Sequence, residues 1–372
     1  MPNKTKHNEL PPGLNDLRQR LDSIDATLVT LAAERQRIVS EIGKTKQKQG
    51  RQLRDFRRER EVLDHVRAVA VEKNLDPDLA EDLLKRLIDA SLTRQEQERG
   101  RLSAKGTGRR ALIVGGAGRL GGWLAGFLNN QGFDLILADP GFALEKADQF
   151  RDWRDAPNDT DIVVLATPIA VTVDLLRELT ELNHKGLILD VASVKSPLIE
   201  SLQSAAEAGL NVCSIHPMFG PDTRLLSGRH VLFMDVGNEV AVEQAEALFA
   251  DTMAEIKRIK IEDHDRLIAW VLGLSHALNI VFFSAIAKSG LSAQELSAVS
   301  STTFNRQLAI ARDVAAENPD LYFEIQKLND QGSEARQALL QVVQLLNKNV
   351  ESNDLDEFRT MMLNGRDYLS KI

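Results

Sequence analysis

The chain has one cysteine, Cys213, in 372 residues. No internal disulfide can form, so a reducing cytoplasm is the natural compartment. It also lacks an excess of positive charge. The formal net charge of −8 argues against nucleic acid as the main partner and leaves room for small anions held by local cations. No uninterrupted apolar run approaches the ~20 residues of a membrane span. The polar start, Met-Pro-Asn-Lys-Thr-Lys-His, lacks the apolar core of a secretory signal. Glycine is nearly absent from residues 14–99, where Arg, Lys, Glu, Asp and Leu dominate and the reading is helix throughout. What is present, 43% hydrophobic and 27% charged residues, fits a globular chain long enough for two or three domains. No metal site is assigned.

The first helix is expected from near Asn15, a good N-cap residue, to about Lys46. Leu17, Leu21, Ile24, Leu28, Leu31, Ile38 and Ile42 recur at 3–4 spacing and form one apolar stripe. Arg35 falls within that stripe, Lys46 close to it, and Arg18 at its edge. A second helix carries Val62, Val66 and Val69 on its inner face, with Asp55, Arg58 and Glu59 projecting the same way. A third opens at Asp76-Pro77, a cap followed by proline at the first helical position. It turns Leu84, Leu87, Ile88, Ser91 and Gln95 inward. Buried charges are costly unless paired. Two readings stay open: a structural network in which Asp55 and Glu59 neutralise Arg35 and Lys46, or a pocket for a small dianion. The cations outnumber the carboxylates, which favours the pocket.

A basic, glycine-bearing stretch, Gly100-Arg-Leu-Ser-Ala-Lys-Gly-Thr-Gly-Arg109, reads as a linker. From Ala111 to about Ile261, short β-rich runs alternate with helical ones, the pattern of a parallel sheet wrapped by helices. The first strand leads into Gly115-Gly-Ala-Gly-Arg-Leu-Gly121. The fingerprint Gly116-x-Gly118-x-x-Gly121, with Arg119 and Leu120 inside it, lies between strand and helix, where a pyrophosphate can sit on the helix N-terminus. Asp139 ends the second strand, and a carboxylate there suits a ribose 2′-hydroxyl and repels a 2′-phosphate. NAD is therefore the expected cofactor. Thr167 lies in a strand-end loop of the kind that runs along a cofactor. Asp190-Val-Ala-Ser-Val-Lys195 and Ser214-Ile-His-Pro-Met-Phe-Gly-Pro-Asp222 also follow strands, at the edge where ligands bind. Beyond residue 262 the pattern is helical again.

Two resemblances sharpen these readings. Leu17-Arg-Gln-Arg-Leu-Asp-Ser-Ile-Asp25, Ala33-Glu-Arg35, Ile42-Gly-Lys-Thr-Lys46, Arg54-Asp-Phe-Arg-Arg-Glu-Arg60 and Ser91-Leu-Thr-Arg-Gln95 resemble the all-helical chorismate mutases. The resemblance implies that Arg18, Arg35 and Arg58 grip substrate carboxylates, with Arg18 serving a partner's site in an intertwined dimer. It implies that Lys46 and Gln95 hydrogen-bond the ether oxygen, and that Asp55, Glu59 and Ser91 settle the hydroxyl and the cations. The glycine loop, Ala-Ser-Val-Lys195 and His-Pro-Met-Phe-Gly-Pro-Asp222 resemble the prephenate dehydrogenases. There His216 takes the catalytic histidine's place and Ser193 helps position it. Lys195 is either a site lysine or a solvent-exposed structural one.

Glu262-Asp-His-Asp265 resembles that family's turn into its dimerisation helices, which makes His264 structural. His276 matches a histidine near the substrate side chain and the tyrosine-sensing site, with helix packing as its alternative. Arg312, with Arg306 as second choice, matches the arginine that holds the ring carboxylate, although the spacing is one residue off the family pattern.

The chain is thus identified as a member of the bifunctional chorismate mutase/prephenate dehydrogenase family. The expected domains are a mutase at 10–100, a linker at 101–109, a Rossmann-type NAD-binding domain at 110–261 and a helical substrate and dimerisation domain at 262–372. Chorismate and prephenate are the expected substrates, tyrosine the expected feedback inhibitor and a homodimer the expected assembly. Arogenate or a 4-amino-4-deoxy analogue is the rival substrate.

Overall fold

A computed structural model describes residues 13–49, 54–143 and 148–371. The polar N-terminal stretch, including residues 10–12 of the expected mutase domain, and residue 372 at the far end of the last expected domain lie outside the described residues. The fold divides into two units.

The first unit comprises the described residues up to Lys105 together with Asp222–Arg229 and Phe249–Glu255. Three helices dominate it: α1 (Leu14–Lys48), α2 (Phe56–Glu72) and α3 (Pro77–Ser103). Asp76 caps α3 by accepting from the Asp78 amide, and Pro77 occupies the first helical position. Asp55 does not project into a core. It is the N-cap of α2, exposed, with its carboxylate on the Arg58 amide at 3.0 Å. Helix α3 runs through a buried Gly100 to Ser103, so it takes in residues 101–103 of the expected linker. Glu96 on α3 is buried and accepts from the backbone amides of Leu226 and Met253, at 3.0 and 2.5 Å. The α1 stripe is different from a core face. Leu17, Leu21, Ile24, Leu28, Leu31, Ile38 and Ile42 are 47–59% exposed.

The second unit is built on an eight-stranded sheet of order β3-β2-β1-β4-β5-β6-β7-β8. Strands β1 (Arg110–Val114), β2 (Asp134–Ala138), β3 (Gln149–Phe150), β4 (Ile162–Leu165), β5 (Leu187–Asp190) and β6 (Val212–Pro217) pair in parallel. β7 (His230–Met234) is antiparallel to β6, and β8 (Glu255–Arg258) closes the order. Continuous Val, Ile and Leu runs suit strands buried on both faces; all four residues of β4 and of β5 are buried. Helices α4 (Arg119–Asn130), α5 (Ile169–Glu181), α6 (Ile199–Glu207) and α7 (Glu239–Phe249) supply the crossovers.

After β8 a helical run spans Ile261–Lys288. It comprises α8 (Ile261–Ile268), a π-helical stretch (Ala269–Leu274) and α9 (Ser275–Lys288). By length and composition this run is apolar enough to cross a membrane. Ser275, His276 and Asn279 interrupt it, so it is not an uninterrupted apolar run, and the core helix of a soluble protein has the same length and composition. Helices α10 (Ala293–Ala298), α11 (Thr302–Ala315), α12 (Pro319–Leu328), α13 (Gly332–Glu351) and α14 (Leu355–Leu369) complete the unit.

Candidate active sites

In the first unit, α1 and α3 bring three of the expected residues together. The Arg35 guanidinium donates to the Leu87 carbonyl and to the Ser91 hydroxyl, both at 3.2 Å. Ser91 in turn donates to Leu87 O at 2.6 Å, and the Gln95 amide donates to Val39 O at 2.6 Å. Gly43 makes this closeness possible: a Cβ there would lie 2.9 Å from Gln95 Nε2. Burial lowers the Arg35 pKa. No carboxylate bonds Arg35 among the described residues.

The pairing with Glu59 that the structural-network reading allowed is not formed. Glu59 is gripped by Arg54, whose Nε and Nη2 reach its oxygens at 3.0 and 2.9 Å. Arg58 is exposed and pairs with Glu61 at 3.1 Å. Lys46, half-buried, acts on Asp55 through its charge; Asp55 is held below the usual carboxylate range first by the Arg58 amide and also by Lys46. Arg18 is exposed on α1. The arrangement has cations, amides and a hydroxyl, and it can orient and polarise an anion without forming a covalent bond.

In the second unit the parallel strands end in register. Val114 stands beside Ala138 and Leu165, and Leu165 beside Asp190. The glycine loop, Asp139, Thr167, the 191–195 loop and His216 therefore share the carboxyl edge. The order reverses between β1 and β4, the crevice where open α/β sheets bind ligands. Gly118 caps α4 with no side-chain hydrogen bond, and a helix start of this kind suits an anion. Gly121 is required for packing: a Cβ there would sit 2.1 Å from the Gly115 carbonyl oxygen. Asp139 accepts from the amides of Ala117 and Gly141, at 3.2 and 2.8 Å, which fixes its carboxylate beside the loop. Arg119, exposed, pairs with Glu317 at 2.7 Å, and Leu120 is half-buried. Thr167 is half-buried and shares a hydrogen bond with Thr172 at 2.9 Å. A helix start with no side-chain cap bond, a glycine cradle and a ribose-type carboxylate together fit a dinucleotide.

His216, 3% exposed at the end of β6, meets His264: Nδ1 and Nε2 are 2.9 Å apart. His264, fully buried, meets Asp265 in turn, Nδ1 to Oδ1 at 2.6 Å. The sequence reading gave His264 a structural place and assigned Asp265 no role, and this hydrogen-bond chain was not foreseen. Lys195 is not solvent-exposed. It is 0% exposed, donating to Asp190 at 2.6 Å and to the Ile215 carbonyl at 3.0 Å. Asp190 also accepts from Ser214, at 2.7 Å. Ser193 is half-buried in the loop before Lys195. Burial first, then His264 and Lys195, push the His216 pKa well below its ordinary value.

His276 stacks on Tyr322 with centroids 4.2 Å apart, and burial lowers its pKa to about 4. Its Nδ1 is buried without a hydrogen-bond partner among the described residues. Arg312 and Arg306 are both exposed on α11. No feature of the described residues selects one over the other.

These features define a nucleotide-dependent dehydrogenase unit in one chain with a helical, cation-lined unit. Family models match in the same order: chorismate mutase type II over residues 17–96, the nucleotide-binding domain of prephenate dehydrogenase over 135–258, and the prephenate dehydrogenase dimerization domain over 260–364. The T-protein of Enterobacter agglomerans is 29% identical over 315 residues, covering 84% of this chain and 81% of that protein. The T-protein of Haemophilus influenzae is 28% identical over 317 residues, with 84% and 80% covered. A crystal structure of prephenate dehydrogenase from Aquifex aeolicus, with hydroxyphenyl propionate and NAD+, matches the fold at TM-score 0.58 and 18% identity. That match covers 71% of this chain and 98% of the other. The chain belongs to the T-protein family, which joins a chorismate mutase to a prephenate dehydrogenase.

Proposed function

We propose that the chain catalyses two successive steps of tyrosine biosynthesis: chorismate to prephenate, then prephenate with NAD to 4-hydroxyphenylpyruvate and CO2. The observation that carries the reading is His216, a buried histidine kept neutral at the same sheet edge as the glycine loop and Asp139.

For the first step, Arg35 with Arg18 and Arg58 would hold the two carboxylates and fix the reactive chair. Lys46 and Gln95 would stabilise charge growing on the ether oxygen, with Ser91, Asp55 and Glu59 around them. Orientation and electrostatics suffice for such a rearrangement. For the second step, Gly116, Gly118, Arg119, Leu120, Gly121, Asp139 and Thr167 would hold NAD, which would supply the acceptor for the hydride from C4. His216 takes the 4-hydroxyl proton, Ser193 steadies that hydroxyl, and loss of the ring carboxylate as CO2 aromatises the ring. A neutral imidazole is the form that can accept a proton. Arg312 would hold the ring carboxylate and His276 the side-chain end.

Assembly as a homodimer follows from the dimerization-domain match and from the α1 stripe, since seven large apolar side chains in water favour burial against a second copy. Arg18, exposed on that helix, would then serve the partner's site. The expected compartment is the cytoplasm. Tyrosine inhibition belongs to the same proposal and is checked by titrating tyrosine into the dehydrogenase assay.

The decisive experiment follows NADH absorbance with chorismate, prephenate or arogenate as substrate. NADH from both chorismate and prephenate supports the reading. Turnover of arogenate exceeding that of prephenate moves the substrate, and NADH from prephenate alone removes the mutase.

A further inference from the structure

We propose that His264 and Asp265 are positioning residues for the oxidation, holding His216 in the one tautomer that leaves its Nε2 lone pair for the substrate hydroxyl. This rests on the assignment of His216 above.

The hydrogen-bond chain is anchored at its buried end. Asp265 Oδ1 accepts from the Lys195 amide at 2.9 Å, and Oδ2 accepts from the Ser196 amide at 2.7 Å and from the Ser196 hydroxyl. Burial alone would raise the Asp265 pKa, but these donors and His264 outweigh it and hold the carboxylate ionised. An ionised carboxylate can only accept. At 2.6 Å from it, His264 Nδ1 must carry the hydrogen. A neutral imidazole has one N–H, so His264 Nε2 presents a lone pair. That lone pair faces His216 Nδ1 at 2.9 Å, which must therefore donate. Nε2 of His216 is left bare, the form a general base requires.

The charged groups around the pair are Asp265 on α8, Asp190 at the end of β5 and Lys195 in the loop after it. The Lys195 ammonium is engaged by Asp190 and the Ile215 carbonyl, so it contributes repulsion of a second cation and no competing bond to either ring. Burial lowers the pKa of both histidines, so neither ring is doubly protonated near neutrality. The opposite tautomer would set a His264 lone pair against an ionised carboxylate.

The test uses the full chain with 15N-labelled histidine, with His216→Asn identifying the signals. The expected spectrum shows a protonated Nδ1 and a bare Nε2 on His216; the reverse pattern overturns the proposal. His264→Leu removes the acceptor and should lower kcat for prephenate oxidation about 100-fold, with little change in KM for NAD. His264→Gln restores an amide oxygen facing His216 and should recover about tenfold of that loss. Asp265→Asn should mix the His216 tautomers, and its melting curve is recorded because Asp265 also holds two backbone amides. A kcat within about threefold of wild type in His264→Leu, or equal losses in the Leu and Gln variants, would refute the positioning role. A wild-type chain inert toward prephenate yet showing the expected tautomer would refute the substrate reading alone.

Discussion

The two units solve opposite problems with opposite surroundings. Around the mutase residues, Arg18 and Arg58 are exposed, Arg35 and Lys46 are half-buried, and the contacts of Arg35 and Gln95 are to backbone carbonyls and a hydroxyl. Around the dehydrogenase residues, His216, His264, Asp265, Lys195 and Asp190 are all buried and joined by hydrogen bonds. A rearrangement that moves no proton needs only donors aimed at carboxylates and an ether oxygen, and arginines stay charged wherever they sit. An oxidation that moves a proton needs a group whose charge and tautomer are fixed, which demands burial and a complete set of partners.

The sharpest break of this comparison is His216→Asn. It should lower NADH formation by about 10³-fold or more while prephenate still forms from chorismate, both read from one preparation. Loss of both activities would deny separate sites. Arg35→Ala should do the reverse, cutting mutase turnover by about 10²–10³-fold with prephenate oxidation intact.

The pH profiles should diverge next. The His216 pKa is lowered from 6.5, so the ring is already neutral at pH 6.5 and above. The dehydrogenase rate should therefore hold as pH falls through 6.5 and decline only below it. An acid limb centred above 6.5 would contradict the burial argument. The mutase, which uses no histidine, should lack that limb. The smallest effect is at Gly43→Ala, whose Cβ would press on the Gln95 side chain from 2.9–3.0 Å. Mutase turnover should fall by about two- to tenfold through displacement of one donor, with the dehydrogenase unchanged.

Much of this was legible before any coordinates. The alternation of short apolar runs announced the parallel sheet, the Asp76-Pro77 pair announced the start of α3, and the glycine loop lay between strand and helix as its mechanism requires. Arg35, Ser91 and Gln95 were found by helical spacing because each lies on a continuous helix whose phase is known. Asp55 was misread because extending the α2 spacing one residue upstream treats a cap as part of a face. The burial of Lys195 and the links among His216, His264 and Asp265 were not foreseen for a different reason. The Lys195 amide meets Asp265 across 70 residues of chain, and His264 meets His216 across 48. No local pattern records such a meeting. Arg306 and Arg312 are alike in the structure, both exposed on α11, so helical spacing and burial do not separate them as the ring-carboxylate arginine.

Glu96 carries a consequence for dissection of the protein. It follows Gln95 directly, and its two hydrogen-bond donors belong to segments more than a hundred residues downstream, 222–229 and 249–255. The helical unit is therefore stitched from three stretches of chain. A gene fragment ending near residue 105 would not release a finished module. It would leave the Glu96 carboxylate without the two backbone amides that hold it, and it would lack the two segments that complete the unit.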